Sequence, residues 1–517
     1  MPRPPVDGTL ARHAVRICFF TALRVALAVA ACSTEPSGTT DTTINLAMTV
    51  LTVSRPLLLP GDTVLVTLLA RNGAGQPLTT GGATVVFSVQ GGDSVGTFLP
   101  VVDHHNGTYS ASFVSVTIGP AFAIDAHVNG DELTSAHPTL RVVGFIRIAA
   151  TGATMFGADT TTGGFTCGII TTGDMYCWGS TSFGVRGNGT AGSPQPGLQP
   201  TLVGGGHQWI EVAVGTYFVC AVSNSGLIYC WGNGDVGELG NGLSGSPPDV
   251  TAPTPVSGDS AFRAVSIGIS GGACALTPGN TAMCWGSGAW GRLGNGSDAL
   301  SAVPVVVSGG LLLDALTTAY SGTCGVAGGN AYCWGSGTIL GLGATPAPDT
   351  CAGGTACART PVPVSGGHTF RPIVALDGNV MCAVATDDQT YCWGSGYLGN
   401  GTMDIAVSPT IVSGGLTFTS LSAADAFHCG TVVGGAAYCW GANYYGRLGN
   451  GTTTDALVPT AVSGGHAFTQ LSSGQDHTCG VGTDGNAYCW GGNDKGELGN
   501  RSLGASLTPV RVRLFPP

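Results

Sequence analysis

The sequence predicts an all-β protein in which a β-sandwich precedes an array of seven repeats. Three observations carry this reading. First, 86 of the 517 residues are glycine, more than twice the roughly 7% of an average domain, yet no Gly-X-Y period runs through the chain, which excludes collagen. Second, 43% of residues are hydrophobic and only 9% are charged, which excludes a solvated disordered chain, and stretches suited to long helices are missing. Third, the tripeptide Cys-Trp-Gly recurs seven times, its tryptophan at Trp178, Trp231, Trp285, Trp334, Trp393, Trp440 and Trp490, at intervals of 47 to 59 residues. Self-similarity at such a period marks a repeat architecture.

The formal net charge is −11, and Lys495 is the sole lysine. Removing the first 31 residues, which carry four arginines and one aspartate, lowers it to −14. Electrostatic capture of nucleic acid needs clustered Lys and Arg, so nucleic acid is not expected among the partners.

Residues 1–31 read as a secretory signal. Arg3, Arg12 and Arg16 precede a short apolar stretch, Arg24 interrupts it, and Val25–Ala31 leads to Cys32, the order of basic region, apolar region and small residues that such signals show. Val29-Ala30-Ala31-Cys32 resembles a bacterial lipobox, which implies lipidation of Cys32 as the mature N-terminus. Ser33 then implies sorting to the outer membrane, at the cell surface or the periplasmic face. An ordinary signal with Cys32 incidental is the alternative. Residues 32–43 read as a flexible tether, and export places the cysteines in an oxidising setting.

Residues 44–143 contain no cysteine. Apolar runs at Ile44–Val53, Thr63–Leu69, Thr84–Val89, Tyr109–Val116 and Ala121–Val128 are punctuated by Asn72-Gly73, Asn106-Gly107 and Asn129-Gly130. About 100 residues of short strands and turn signals fit a β-sandwich. Gly82–Phe87 and Asn106–Ala111 resemble the bacterial immunoglobulin-like domains of surface proteins, which implies a spacer. His104-His105 reads as an exposed loop and not as a metal site.

Residues 144–517 hold the repeats. Each Cys-Trp-Gly cysteine has an upstream cysteine at a fixed distance. Ten positions separate Cys167 from Cys177, Cys220 from Cys230, Cys274 from Cys284, Cys382 from Cys392, Cys429 from Cys439 and Cys479 from Cys489; nine separate Cys324 from Cys333. Nine intervening residues split as three, a three-residue loop and three, which sets the cysteines opposite each other across a hairpin. Glycine at the third loop position suits a left-handed residue. The shorter pair has Gly328-Gly329 at its centre, a two-residue loop that keeps the register. Opposed Cα atoms about 4.5–5.5 Å apart lie within disulfide reach, and zinc lacks a C-x2-C pair or a suitable histidine set. Seven cross-strand disulfides are therefore expected. Cys351 and Cys357, inside the longest insertion (Ala344–Thr360), form an eighth. No metal and no cofactor is expected.

The rest of each unit reads as in Tyr438-Cys439-Trp440-Gly441-Ala442-Asn443-Tyr444-Tyr445-Gly446-Arg447-Leu448-Gly449-Asn450-Gly451-Thr452. This resembles the regulator of chromosome condensation repeat family over about 370 residues, and the resemblance implies a seven-bladed β-propeller of four-stranded blades. It further implies tryptophans packed between blades and ring closure by pairing of Phe145–Ala149 with Thr508–Leu514. Copies four (Gly341-Leu342-Gly343, without Asn-Gly) and five (shortened at Gly396-Tyr397-Leu398-Gly399) depart locally from the pattern, which bears on loop shape and not on the fold. Asn188, Asn295, Asn400, Asn450 and Asn500 match a glycosylation sequon, but turn chemistry explains them.

The family's eukaryotic members are known for nucleotide exchange on a small GTPase and for chromatin binding; export, acidity and the lack of a basic tail argue against both here. Five residues after each repeat tryptophan lies a variable position holding Phe183, Val236, Trp290, Ile339, Tyr445 and Lys495, with Tyr397 one place earlier in the shortened copy. Equivalent propeller positions share a face, so these residues are expected to ring one rim, either exposed for binding or packed on neighbouring blades. No nucleophile elbow, phosphate loop or H-E-x-x-H motif occurs, and no catalytic residue is assigned. The expected function is a non-enzymatic binding protein whose rim takes a protein or envelope glycan. An enzyme with its site in the channel, and a purely structural envelope protein, are the alternatives.

Overall fold

The computed structural model describes residues 42–90, 95–151, 164–190, 192, 197–245, 249–268, 271–376 and 378–515. Cys32 and the rest of the N-terminal signal lie outside the described residues.

Two sheets form the sandwich, antiparallel except where Leu57–Leu58 pairs parallel with Thr139–Val142. One orders Val50–Val53, Thr63–Leu69, Thr108–Ser115 and Gly96–Phe98; the other orders Leu57–Leu58, Thr139–Val142, Phe122–Val128 and Val85–Val89. Alternation decides which face is buried: Val64, Val66 and Leu68 point inward from one strand and meet Phe113, Ile124 and Phe87. The expected run Ile44–Val53 is strand only from Val50, because the Asn45 side chain accepts the backbone N–H groups of Ala47 and Met48 and winds a turn there.

Seven further sheets follow, four-stranded except the fourth, which gains Asp349–Thr350 alongside Ala356–Pro363. Blade one is Phe145–Thr151, Phe165–Ile170, Met175–Gly179 and Gly197–Leu202; blade seven is Phe468–Ser473, His477–Gly482, Ala487–Gly491 and Ser506–Arg511. In every blade the four main strands are consecutive and antiparallel, the first innermost. Loops joining strands one and two, and strands three and four, therefore share one end of the propeller, the upper face. Hairpins between strands two and three share the lower face with the links to the next blade.

The Cys-Trp-Gly motif is explained strand by strand. Each cysteine of the motif lies opposite its upstream partner in register. Disulfides join Cys167 to Cys177, Cys220 to Cys230, Cys274 to Cys284 and Cys324 to Cys333 in blades one to four. Blades five to seven have Cys382 joined to Cys392, Cys429 to Cys439 and Cys479 to Cys489. The paired Cα atoms are 4.0–4.1 Å apart, closer than the about 4.5–5.5 Å expected for opposed strands. In the insertion, Cys351 is joined to Cys357.

In the three-residue hairpin loops the third residue is left-handed whether it is Gly485 (φ 80°), Asn280 (66°) or Asp388 (68°), and Gly328-Gly329 takes φ of 54° and 83° in the two-residue loop, as a type I′ turn demands. At each tryptophan the register between strands three and four shifts, as between Cys489 and Gly491. The glycine then turns left-handed; a Cβ on Gly491 would lie 2.7 Å from the Cα of His477.

One expectation is corrected. Phe145–Thr151 does not pair with the C-terminal strand. It is the innermost strand of blade one and pairs with Phe165–Ile170, whereas Ser506–Arg511 is the outermost strand of blade seven. An innermost and an outermost strand lie on opposite sheet edges, so they cannot form a ladder. The ring closes by blade-to-blade packing instead: Ile148 N–H donates to Gln470 Oε1, Ala150 N–H to Ser472 Oγ, and Phe145 N–H to the carbonyl of Gly485.

Candidate functional site

The upper face is built on tryptophan anchors. All seven repeat indoles are fully buried, and six donate their N–H to a carbonyl in the strand three–four loop of the preceding blade. The acceptors are Glu497 for Trp178, Val185 for Trp231, Glu238 for Trp285, Arg292 for Trp334, Ile339 for Trp393 and Arg447 for Trp490, at 2.7–3.0 Å. Two residues further on, the glycine of Leu-Gly-Asn-Gly faces the same indole. A Cβ on Gly449 would sit 2.6 Å from Trp490 Nε1, and one on Gly399 2.8 Å from Trp440 Nε1. The asparagine after it accepts the N–H and hydroxyl of the residue two positions on, as Asn450 does from Thr452. This turn accounts for the recurring sequons.

These contacts fix which positions are equivalent, and they move two of the seven rim residues. The carbonyl of Ile339 accepts the Trp393 indole N–H, and Tyr397 precedes the Leu398-Gly399 pair just as Arg447 precedes Leu448-Gly449. Both thus occupy the place of Val185, Glu238, Arg292, Arg447 and Glu497 beneath the rim. Ile339 is 0% and Tyr397 9% exposed. Counting from the tryptophan fails in the two shortened loops because the residues are lost before the anchoring glycine. Tyr397 instead donates its hydroxyl to Asp455 at 2.7 Å, and its own pKa is pushed up to about 12 by burial and that carboxylate.

The other five positions do lie on the upper face, but only Tyr445 is widely exposed, at 53%. Phe183 and Trp290 each reach the strand one–two loop of the next blade, packing on Tyr217 and Tyr320 with centroids 5.0 and 5.5 Å apart. Val236 and Lys495 are half-buried, and their N–H groups are accepted by Glu238 and Glu497. Phe183, Trp290 and Tyr445 hold left-handed backbones (φ 57–60°), a conformation that costs a bulky side chain free energy.

Residues not anticipated from the sequence complete the face. Tyr320 and Tyr444 are 44% and 54% exposed. Arg292 lies 5.0 Å from the Trp290 ring, and Arg447 lies 4.7 Å from Phe427 and 5.0 Å from Tyr444. Burial lowers both guanidinium pKa values, that of Arg292 to about 10. Burial also pushes Glu238 and Glu497 up to about 7, against the backbone N–H groups that favour their carboxylates. Asp425 and Asp476 sit on strand one–two loops beside Arg447. Tyr217 and Asp476 lie three residues before a repeat cysteine and Tyr320 four, and this offset is the signal in the sequence that would have found them.

Below the face runs the channel, lined mostly by Ala, Val, Ile, Leu, Ser and Thr side chains. At its mouth is a cavity of about 90 Å³ bordered by Asp425 and Gln475. His428 and His477 are not part of it. Both are fully buried between blades, where desolvation lowers them to about 4 and 3, and His477 Nε2 pairs with Thr166 Oγ1 across the junction of blades seven and one.

Comparisons with known proteins agree with this geometry. Two family models of the regulator of chromosome condensation (RCC1) repeat match, one at residues 225–275, 434–481 and 484–517, the other at 209–238 and 468–497. The invasin domain 3 model matches 61–144. The human E3 ubiquitin-protein ligase HERC2 is 29% identical over 253 residues, 47% of this chain and 5% of the ligase. The Arabidopsis thaliana ultraviolet-B receptor UVR8 is 29% identical over 305 residues, 54% of this chain and 63% of the receptor. The chain thus spans less than two thirds of either relative. Human WBSCR16 superposes with a TM-score of 0.57 at 18% identity, over 65% of this chain and 86% of that one. Prp20p of Saccharomyces cerevisiae gives 0.55 at 19%, over 66% and 86%. The chain thus carries RCC1 repeats in a seven-bladed β-propeller, behind a β-sandwich that the invasin domain 3 model matches.

Proposed function

We propose that the chain is an exported, lipid-anchored and non-enzymatic binding protein whose upper propeller face takes a protein ligand. The observation that carries this is the grouping of aromatic side chains beside buried arginines on one face: half-buried Trp290 and exposed Tyr320 on Arg292, and exposed Tyr444 on Arg447 with exposed Tyr445 next in the chain. Tyr, Trp and Arg in such arrangements are the residues that dominate binding energy at protein interfaces. The protein relatives support the reading, since a structure of Kap60 bound to yeast RCC1 is among the neighbours. The acidity of the chain favours a protein over a nucleic acid. Eight disulfides and the Cys32 motif support export and outer-membrane anchoring.

The test uses the oxidised full chain to capture partners from envelope extracts. Tyr444→Ser/Tyr445→Ser and Trp290→Ser/Tyr320→Ser should each lose the captured protein that the wild type retains, and equal capture by all three refutes the face. For the anchor, metabolic labelling with palmitate should mark the wild type and not Cys32→Ala.

A further inference from the structure

The cavity at the upper mouth of the channel has a chemistry of its own. Asp425 opens the strand one–two loop of blade six and is half-buried, and among the described residues its carboxylate accepts no hydrogen bond. On the neighbouring blade seven, Gln475 is 4% exposed, and its side-chain oxygen has no partner among the described residues. Ser473 and Thr318 line the same cavity with buried hydroxyls that also lack partners there. Arg447, whose charge reaches Asp425, is committed elsewhere: its Nε donates to the Ala442 carbonyl, an Nη donates to the Gln475 backbone carbonyl, and its plane is stacked on Phe427 and Tyr444. No cationic side chain is among the lining residues described. Apart from Thr151, the remaining wall is of glycine and aliphatic residues, Val214 and Ile267 among them.

Buried acceptors without donors cost free energy until something supplies the missing hydrogen. Here the orphaned groups are a carboxylate, an amide oxygen and two hydroxyls, all able to accept and set in an aliphatic ring. We propose that this mouth is a binding site for an alkylammonium group, whose three N–H donors would meet Asp425, Gln475 and a hydroxyl while its methylenes lie on Val214 and Ile267. The proposal rests on the reading of the upper face as the binding face and names the group that face recognises. A lysyl side chain of a partner and a free amine share this chemistry.

Calorimetric titration of the oxidised full chain tests it with four probes: n-butylammonium, n-butanol, butyrate and the peptide acetyl-Gly-Lys-Gly-amide. The two ammonium probes should bind and the other two should not. Asp425→Asn should weaken n-butylammonium about tenfold or more, and Gln475→Met should weaken it as well, with melting temperatures as in the wild type. Tighter binding of the lysyl peptide assigns the site to a partner's side chain; tighter binding of n-butylammonium assigns it to a free amine. Equal binding of n-butanol and n-butylammonium, or unchanged affinity in a folded Asp425→Asn variant, overturns the proposal. Tyr444→Ser/Tyr445→Ser should keep n-butylammonium binding while losing envelope capture. Capture that persists when no amine binds leaves the protein-binding face standing and removes only the ammonium site.

Discussion

The repeat tryptophan joins blade to blade in two ways, filling the junction and donating a hydrogen bond across it. The contribution of the bond can be separated from the packing, because one copy lacks it. Trp440 Nε1 has no acceptor among the described residues, next to the shortened loop of blade five, whereas Trp490 donates to Arg447. Trp490→Phe should therefore destabilise the chain by about 1 kcal/mol more than Trp440→Phe, since it gives up a buried hydrogen bond that Trp440 does not make, although the Arg447 carbonyl keeps the Thr478 hydroxyl; guanidinium unfolding of the two variants measures the difference. Gly449→Ala should cost about 2 kcal/mol or more at the same junction, because the new methyl meets the indole and the backbone is left-handed. Glu497 offers a pH-dependent test. Burial raises its folded pKa to about 7, so the unfolded chain gives up this proton at lower pH than the folded chain does. The stability it supports in acid is lost as pH rises from its ordinary value through 7. Glu497→Gln keeps a neutral group at every pH, so it should match the wild type at about pH 4 and exceed it at about pH 8 by roughly 1–3 kcal/mol. The buried histidines act in the opposite sense, losing their support as pH falls below their ordinary range towards 3–4, so the comparison must be made variant against wild type.

Loops decide what sequence can and cannot show. The insertion Ala344–Thr360 reads in sequence as a disulfide-pinned projection. It is pinned twice, since Arg359 also reaches back to blade three, donating to both carboxylate oxygens of Asp298 at 3.1 and 2.7 Å, and its N–H is accepted by Asp349. Arg359→Met should speed cleavage within the insertion by limited proteolysis while shifting global stability by less than about 1 kcal/mol, as expected of a partly exposed ion pair. An unchanged cleavage rate would show that the bond from Cys351 to Cys357 alone holds it. The hairpins are legible in full because cysteine spacing fixes register and turn length together. The rim is legible only where loops keep their length. Ile339 and Tyr397 fall out of it because the deletion lies between the tryptophan, from which positions are counted, and the glycine that anchors the loop. Tyr320 has only its offset from Cys324 to mark it, and Tyr444, Asp425 and Gln475 carry no motif; the convergence of two loop types on one face assembles them. Ring closure is hidden for a similar reason: strand propensity marks Phe145–Thr151 as a strand but not as innermost.

The whole molecule has a direction. The sandwich meets the lower face, where Arg511 donates to the Pro60 carbonyl and to Asp62 at 2.7 and 2.9 Å, and Leu59 and Val143 join the core shared by blades one and seven. The aromatic face therefore points away from the sandwich. Arg511→Ala/Leu59→Ser should free the sandwich and lengthen the maximum dimension in solution scattering; an unchanged profile would mean that the short Val143-Gly144 link alone fixes the angle. Sandwich and propeller read as separate modules in sequence, and each folds as its own pattern predicts. Nothing in either pattern announces the contact, which depends on single residues far apart in sequence.

That contact lies across a particular place. The ring has no strand shared between its first and last blades, so its one covalently open joint is the meeting of blades seven and one, and the sandwich bears on both. It works as a clasp. Force applied through the sandwich would load this joint before any other, and the ring would open where blades seven and one meet.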